Sequence, residues 1–238
     1  MNLIKTEFKK TNFKAYLKAS FGVFAGILTM GILFLFIPVI DGAAPKGEEL
    51  FQEWDGLLML ISVLHFVGFG ILAAVVASKL IIGEYGGKSA AVILCYPINR
   101  KKILNAKCLI ICGFITIAEL LSCLAIMAVV FAVSKIIGAE LIKPNIPLLI
   151  SVPCLGILSG MLSSAMGMVS VTIGWKKRSV PAAIVSSFIT GCVLAQCFSI
   201  SYKNILIVTA AVCAVTVVVS NFVYGILAKS IDKMEVLS

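Results

Sequence analysis

Apolar residues dominate six stretches of the chain, near Ala19 to Val39, Leu57 to Ser78, Cys108 to Val133, Pro147 to Ile173, Pro181 to Phe198 and Ile205 to Ala228. Each is close to the roughly 20 helical residues that cross a hydrocarbon core about 30 Å thick. Within each stretch the apolar positions cover every side of a helix rather than one stripe, the pattern of a segment surrounded by lipid or protein on all faces. A transmembrane β-barrel would alternate apolar and polar at every second residue, and these segments do not. The pattern therefore predicts an all-α integral membrane protein with six transmembrane helices, as a single transmembrane domain over residues 1–238.

Composition agrees. The chain has 238 residues, 61% hydrophobic and 13% charged, with a mean hydropathy of +1.11. Soluble domains are about 45–50% apolar and roughly 25% charged, so this chain lacks the polar groups to cover a globular surface. Soluble enzymes and disordered chains are both excluded.

Charge gives the expected orientation. Lys5, Lys9, Lys10, Lys14 and Lys18 precede the first span, and Lys79, Lys88, Arg100, Lys101, Lys102 and Lys107 lie between the second and third. Lys176, Lys177 and Arg178 follow the fourth, whereas the opposite side carries only Lys46, Lys135, Lys143 and Lys203. This bias places both termini in the cytoplasm. The net charge of +9 is read as a topology signal. It does not point to nucleic acid, because the basic residues are divided among separate loops and accompany no groove-reading fold. The apolar run from Ala19 is too long for a signal-peptide core and no small-residue cleavage site follows it, so the first span is expected to be retained. Residues 1–18 mix Leu3, Ile4, Phe8, Phe13, Tyr16 and Leu17 with lysines, which predicts a helix lying at the cytoplasmic interface against anionic lipid. A disordered basic tail is the other reading of those residues.

Few residues carry reactive chemistry. The eight cysteines form no C-x-x-C pair, and His65 is the single histidine, so no zinc site or other metal site is expected. The cysteines are read as small packing residues. Gly22 with Gly26, and Gly156, Gly160 and Ser164, recur four apart, a spacing that lets membrane helices approach closely. Gly83-Glu84-Tyr85-Gly86-Gly87-Lys88-Ser89 looks like a phosphate-binding loop but is one residue short between its first glycine and the Gly-Lys-Ser, and follows a membrane helix rather than a strand. No catalytic constellation is present, so no catalytic residue and no bound cofactor are expected in this chain.

The segment 79–107 is unusual for a cytoplasmic loop. It contains Glu84-Tyr85-Gly86-Gly87-Lys88, an apolar stretch from Ala90 to Tyr96, and then Pro97 followed by Arg100, Lys101, Lys102 and Lys107. Contiguous apolar residues outside the membrane need a cover, either a protein partner or the membrane interface. The order of glutamate, glycine, short apolar helix, proline and basic residues (Glu84, Gly86, Pro97, Arg100, Lys101, Lys107) resembles the cytoplasmic coupling region of ABC type-2 permeases, and six spans in a chain of this length resemble that family over essentially the whole protein. The resemblance implies a coupling helix between the second and third spans, docked on a separate ATPase subunit through Glu84, Tyr85, Gly86, Gly87, Tyr96, Pro97 and Arg100. It also implies two permease chains with two ATPase chains, ATP and Mg bound by the partner, and a location in a bacterial plasma membrane. Among substrates it implies an amphipathic peptide or a lipophilic antibiotic. An interfacial helix that only anchors the loop is the plainer reading of the same segment.

Two ionisable residues stand inside spans, His65 in the second and Glu119 in the third. Charged side chains at such depth cost about 2.5–3.5 kcal/mol on insertion scales and tend to face the bundle interior. Counted from Lys79 and Lys107 they lie ~21 Å and ~18 Å deep at 1.5 Å per residue, which predicts a His65–Glu119 contact or a shared water. Such a pair would be either a polar clasp between helices or part of a substrate path. Asn221 and Gln196 pose the same question more weakly, and the acidic loop from Asp41 to Asp55 is expected to carry a short amphipathic helix around Phe51 and Trp54. Two rival functions use these features differently. A self-sufficient proton-coupled transporter would rely on Glu119 and His65, and on internal repeats with matched broken helices, of which Pro153 and Pro181 are the nearest trace. A membrane-embedded enzyme would need more His, Asp or Glu at membrane depth than the chain has.

Overall fold

A computed structural model describes residues 7, 8, 11, 13–41, 54–85, 100–137, 146–199 and 204–232. Its six long helices are α1 (Phe13–Asp41), α2 (Trp54–Tyr85), α3 (Arg100–Ile137), α4 (Ile146–Lys176), α5 (Val180–Ser199) and α6 (Ile205–Asp232). All six are long and apolar enough to cross a membrane, and no strand occurs among the described residues. The six predicted spans are thus all present.

Their ends differ from the sequence expectation in a consistent direction. Helix α1 begins at Phe13, so residues 13–18 continue the first span instead of forming a separate interfacial helix. Helix α2 carries on past Ser78 to Tyr85, and α3 starts at Arg100, so both ends of the 79–107 segment are helical. Hydropathy marks where a helix leaves lipid, whereas helical hydrogen bonding continues until the backbone is interrupted. Leu80, Ile81, Ile82, Ile103 and Leu104 stay buried against neighbouring helices beyond the apolar windows, so packing favours the extra turns. The expected amphipathic helix around Phe51 lies outside the described residues, and Trp54 and Asp55 open α2 itself, with the Asp55 carboxylate in the first turn where the helix dipole favours a negative charge.

Helix α4 is the centre of the bundle, touching α2, α3, α5 and α6, while α1 packs on α2 and α3. Its glycines make this possible. A Cβ at Gly160 would lie 2.8 Å from Thr116 Cα, and one at Gly156 would lie 2.9 Å from Leu120 Cδ1, so α3 and α4 approach backbone to backbone. Gly167 brings α4 equally close to α2, where a Cβ would lie 2.5 Å from the Ala73 methyl. The Gly22–Gly26 pair does not act this way, because nothing lies within 4 Å of the space a side chain would fill at either residue. Small residues permit close packing but do not compel it, and α1 presents that part of its surface outward.

Two apolar clusters fill the interior. One joins Ile27 and Leu35 of α1 to Ile61, Phe69 and Ile81 of α2 and to Ile111, Ile115 and Ile126 of α3. The other joins Phe66, Leu162, Phe198 and Cys213, with the Phe66 and Phe198 rings stacked at 5.0 Å between centroids. The outward faces are apolar as well. Leu17 and Phe21 on α1, Val185 and Phe188 on α5, and Val218 and Phe222 on α6 are all more than half exposed, which suits lipid and not water.

The α4–α5 connection is a tight reversal. Ser179 N–H donates to Gly174 O at 3.0 Å and Arg178 N–H to Trp175 O at 3.1 Å, with Arg178 at φ 48°, the left-handed residue of a Schellman stop. Pro181 is the second residue of α5, where its fixed φ suits a helix start, and Pro153 sits inside α4, which continues through it.

Candidate functional site

One end of the bundle gathers most of the polar side-chain contacts between helices. Lys107, near the start of α3, points back into the bundle and is 2% exposed. Its Nζ donates to the Leu80 carbonyl at 3.0 Å and forms an ion pair with Glu84, both near the C-terminal end of α2. A cation at that position is favoured by the helix dipole, and Lys107 supplies it from the next helix. Tyr16 of α1 stands close enough to Glu84 to feel its charge. Asn105 of α3 accepts a hydrogen bond from Tyr224 Oη of α6, and Trp175 Nε1 of α4 donates to Ser230 Oγ of α6 at 3.1 Å. These bonds join α2, α3, α4 and α6 at the end that also carries Lys101, Lys102, Lys176, Lys177 and Arg178.

Three of the expected coupling residues are described. Glu84 lies in the last turn of α2, Tyr85 is its final residue and Arg100 opens α3. Gly86, Gly87, Tyr96 and Pro97 lie outside the described residues. Gly83, Glu84 and Tyr85 are helical, which separates the glycine-rich string from a phosphate-binding loop. Lys107, Asn105 and Tyr224 are functional candidates that the sequence reading did not single out as a group. Lys107 was visible as a basic residue, but its inward aim and its partner carbonyl had no sequence signal.

His65 and Glu119, expected to meet directly or through a shared water, share no direct hydrogen bond. His65 is 1% exposed, and its Nδ1–H donates to Ile61 O at 2.9 Å, which leaves Nε2, at 3.2 Å, to accept from Ser122 Oγ. The ring is thereby satisfied as a neutral imidazole, stacked 6.1 Å over Phe69. Ser122 lies three residues beyond Glu119 on α3, close to one turn, so His65 meets α3 within a turn of Glu119 but takes the serine as its partner. Glu119 turns instead toward α4. It is 0% exposed, Ser159 and Ser163 are the neighbouring polar side chains, and neither carboxyl oxygen has a hydrogen-bond partner.

A cleft of about 500 Å³ lies between α3, α4 and α6. Its walls are mainly apolar, with Thr116, Ser164, Ser220 and Asn221 as the polar exceptions. At its margin Leu109 and Ile117 are each more than 60% exposed, so the cleft opens toward the surroundings of the bundle. A volume in the range of about 300–1,000 Å³ with a few hydrogen-bonding groups in an apolar wall is the usual form of a small-molecule pocket. Among the described residues no group of three or more His, Cys, Asp or Glu side chains could hold a metal ion.

Comparison with known proteins points in one direction. The family model described as ABC-2 family transporter protein matches residues 3–193. The uncharacterized protein YcbO of Bacillus subtilis (strain 168) is 31% identical over 193 residues, covering 79% of this chain and 81% of the relative. No solved structure matches. With six spanning helices and a family match over most of its length, the chain belongs to the ABC-2 transporter family, as a multi-pass permease subunit of the plasma membrane.

Proposed function

We propose that this permease forms the translocation path of an ATP-driven exporter, with ATP and Mg bound by a separate ATPase subunit, and that its cargo is an amphipathic peptide or a lipophilic antibiotic. ABC-2 permeases generally work with an ABC ATPase partner, and two permease and two ATPase chains would make the working assembly. The observation that carries the reading is the Lys107–Glu84 tie. Residues 86–99 leave one helix and return to the next at two points joined by that pair and by the Leu80 carbonyl. A force on this segment is therefore delivered to α2 and α3 together, and α4 packs against both.

The end that carries the tie is the cytoplasmic one in this reading, as the basic side chains there require. ATP bound by the partner favours one arrangement of the spans, and hydrolysis restores the other. That effect requires contacts that differ between the two states, which residues 86–99 would make with the ATPase. The cleft between α3, α4 and α6 supports the cargo class, since its apolar walls suit a hydrophobic face and Asn221 and Thr116 offer hydrogen bonds to a polar one.

Crosslinking tests the docking role. A cysteine introduced at Gly87 should crosslink to the ATPase in native membranes, and the yield should change when ATP is trapped on the partner. No crosslink from Gly87 or from any other position in residues 86–99 would overturn it.

A further inference from the structure

We propose that Glu119 is a proton-binding site built into the seam between α3 and α4, holding a proton while the seam is closed and releasing it when water enters between the two helices. Glu119 is 0% exposed in the third spanning helix, and neither of its oxygens has a hydrogen-bond partner among the described residues. A carboxylate there would need donors or a cation, and the polar side chains around it are engaged on other groups.

On α4 the nearest polar side chains are Ser159, whose Oγ donates to Gly156 O at 3.3 Å, and Ser163, whose Oγ donates to Phe66 O at 3.2 Å, so either hydroxyl can serve a carboxylate at Glu119 only by giving up that bond. From α2, His65 spends Nδ1–H on Ile61 O and accepts from Ser122 at Nε2, so it is no counter-ion. On α3 itself the thiol of Cys123 is a titratable neighbour, one helical turn away. Among the described residues no lysine or arginine pairs with Glu119, and Lys107, the nearest basic residue on that helix, is held by Leu80 and Glu84. With both hydroxyls engaged on carbonyls and no cation beside it among the described residues, the carboxyl is better accommodated as a neutral acid, which brings its own proton, than as an anion.

The seam leaves no alternative source of charge balance. Gly160 brings the α4 backbone so near Thr116 that a Cβ would lie 2.8 Å from Thr116 Cα, and Gly156 does the same at Leu120, on either side of Glu119 along α3. A hydrated cation does not fit between helices in such contact. If α3 and α4 part during a transport cycle, water reaches the carboxyl, the charged form becomes affordable and the proton leaves. The inference holds whether or not an ATPase drives that parting.

Infrared spectroscopy of the purified full-length protein in an ester-free detergent at neutral pH tests both halves. The wild type should show the carbonyl stretch of a protonated carboxylic acid, E119Q should lack it and E119D should shift it. The shift serves as the assignment if E119Q fails to fold. Absence of the band in the wild type, or a band unchanged in E119Q and E119D, overturns the proposal. Release is tested by wedging the seam with G160L, or with G160A if the larger residue prevents folding. A folded wedged variant should lose the protonated band and gain a carboxylate band, whereas a folded variant with the protonated band intact contradicts release on opening. G113L, whose added side chain meets nothing within 4 Å of its first carbon, should keep the band.

Discussion

Lys107 of α3 and Glu84 of α2 form an ion pair in which the lysine is 2% exposed and the glutamate 21%. The lysine also holds the Leu80 carbonyl, so one side chain fixes the last turns of α2 against the first turns of α3. Removing one partner of a buried pair costs about 3–5 kcal/mol, because it strands the other. K107M should therefore lower the unfolding free energy in mixed micelles by that order. E84Q should cost less, since Lys107 keeps the Leu80 carbonyl and can donate to the new amide oxygen. The double variant K107M/E84Q should be less destabilised than the two single losses added together, and strict additivity would contradict the pairing.

Helix α4 depends on glycine where it meets α3. G160L should destabilise the protein by about 1–3 kcal/mol or more through overpacking against Thr116. G22L, at a position with the same sequence spacing but nothing within 4 Å, should stay within about 0.5 kcal/mol of wild type. Paired thermal melts in one detergent decide between them.

The reversal after α4 holds Arg178 at φ 48°, where a side chain costs about 1–2 kcal/mol relative to glycine. R178G should raise stability by about 1 kcal/mol, less whatever the arginine contributes through its charge. A fall in melting temperature would show that the guanidinium outweighs the strain.

His65 and Glu119 should respond differently. S122A removes the hydrogen bond to His65 Nε2, and interhelical hydrogen bonds in membranes average about 0.6 kcal/mol with an upper range near 1.7. E119Q exchanges one neutral polar group for another in the same volume and should change stability little. E119K places a fixed charge in the α3–α4 seam and should abolish accumulation of folded protein. Expression level and monodisperse elution read all three.

Much of the architecture was legible because lipid imposes a strict rule: long apolar runs must be helices. The helix ends were less legible, since Lys79, Lys101 and Lys102 sit on turns that continue beyond the lipid-facing run. That His65 would meet α3 near Glu119 was readable from the 1.5 Å rise, but its partner depended on how α3 is rotated against α2 and α4, where Gly156 and Gly160 bring α4 close. The Asn105–Tyr224 bond joins residues far apart in the chain, and an exposed Asn or Tyr near a helix end gives no hint of its partner. The centrality of α4 was half visible in its glycines, while the idle Gly22–Gly26 pair carries the same signature.

The cleft also yields a prediction. N221L should leave folding intact, because the Asn221 side chain donates to no other described residue, and should weaken binding of an amphipathic cargo. Loss of one neutral hydrogen bond of about 1 kcal/mol corresponds to a roughly fivefold change in affinity. Equal affinity in wild type and N221L would remove Asn221 from the cargo site.

In the proposed assembly this permease is driven by a separate ATPase. Gentle purification of the tagged full-length protein from its native cells, with the co-purifying chains identified by mass and the eluate assayed for ATP hydrolysis, tests it most directly. The account predicts an ATPase subunit in equal amount with the permease, and hydrolysis that disappears when that subunit is stripped away. A permease that elutes alone from cells in which it is active in transport, with no ATP hydrolysis, would contradict it.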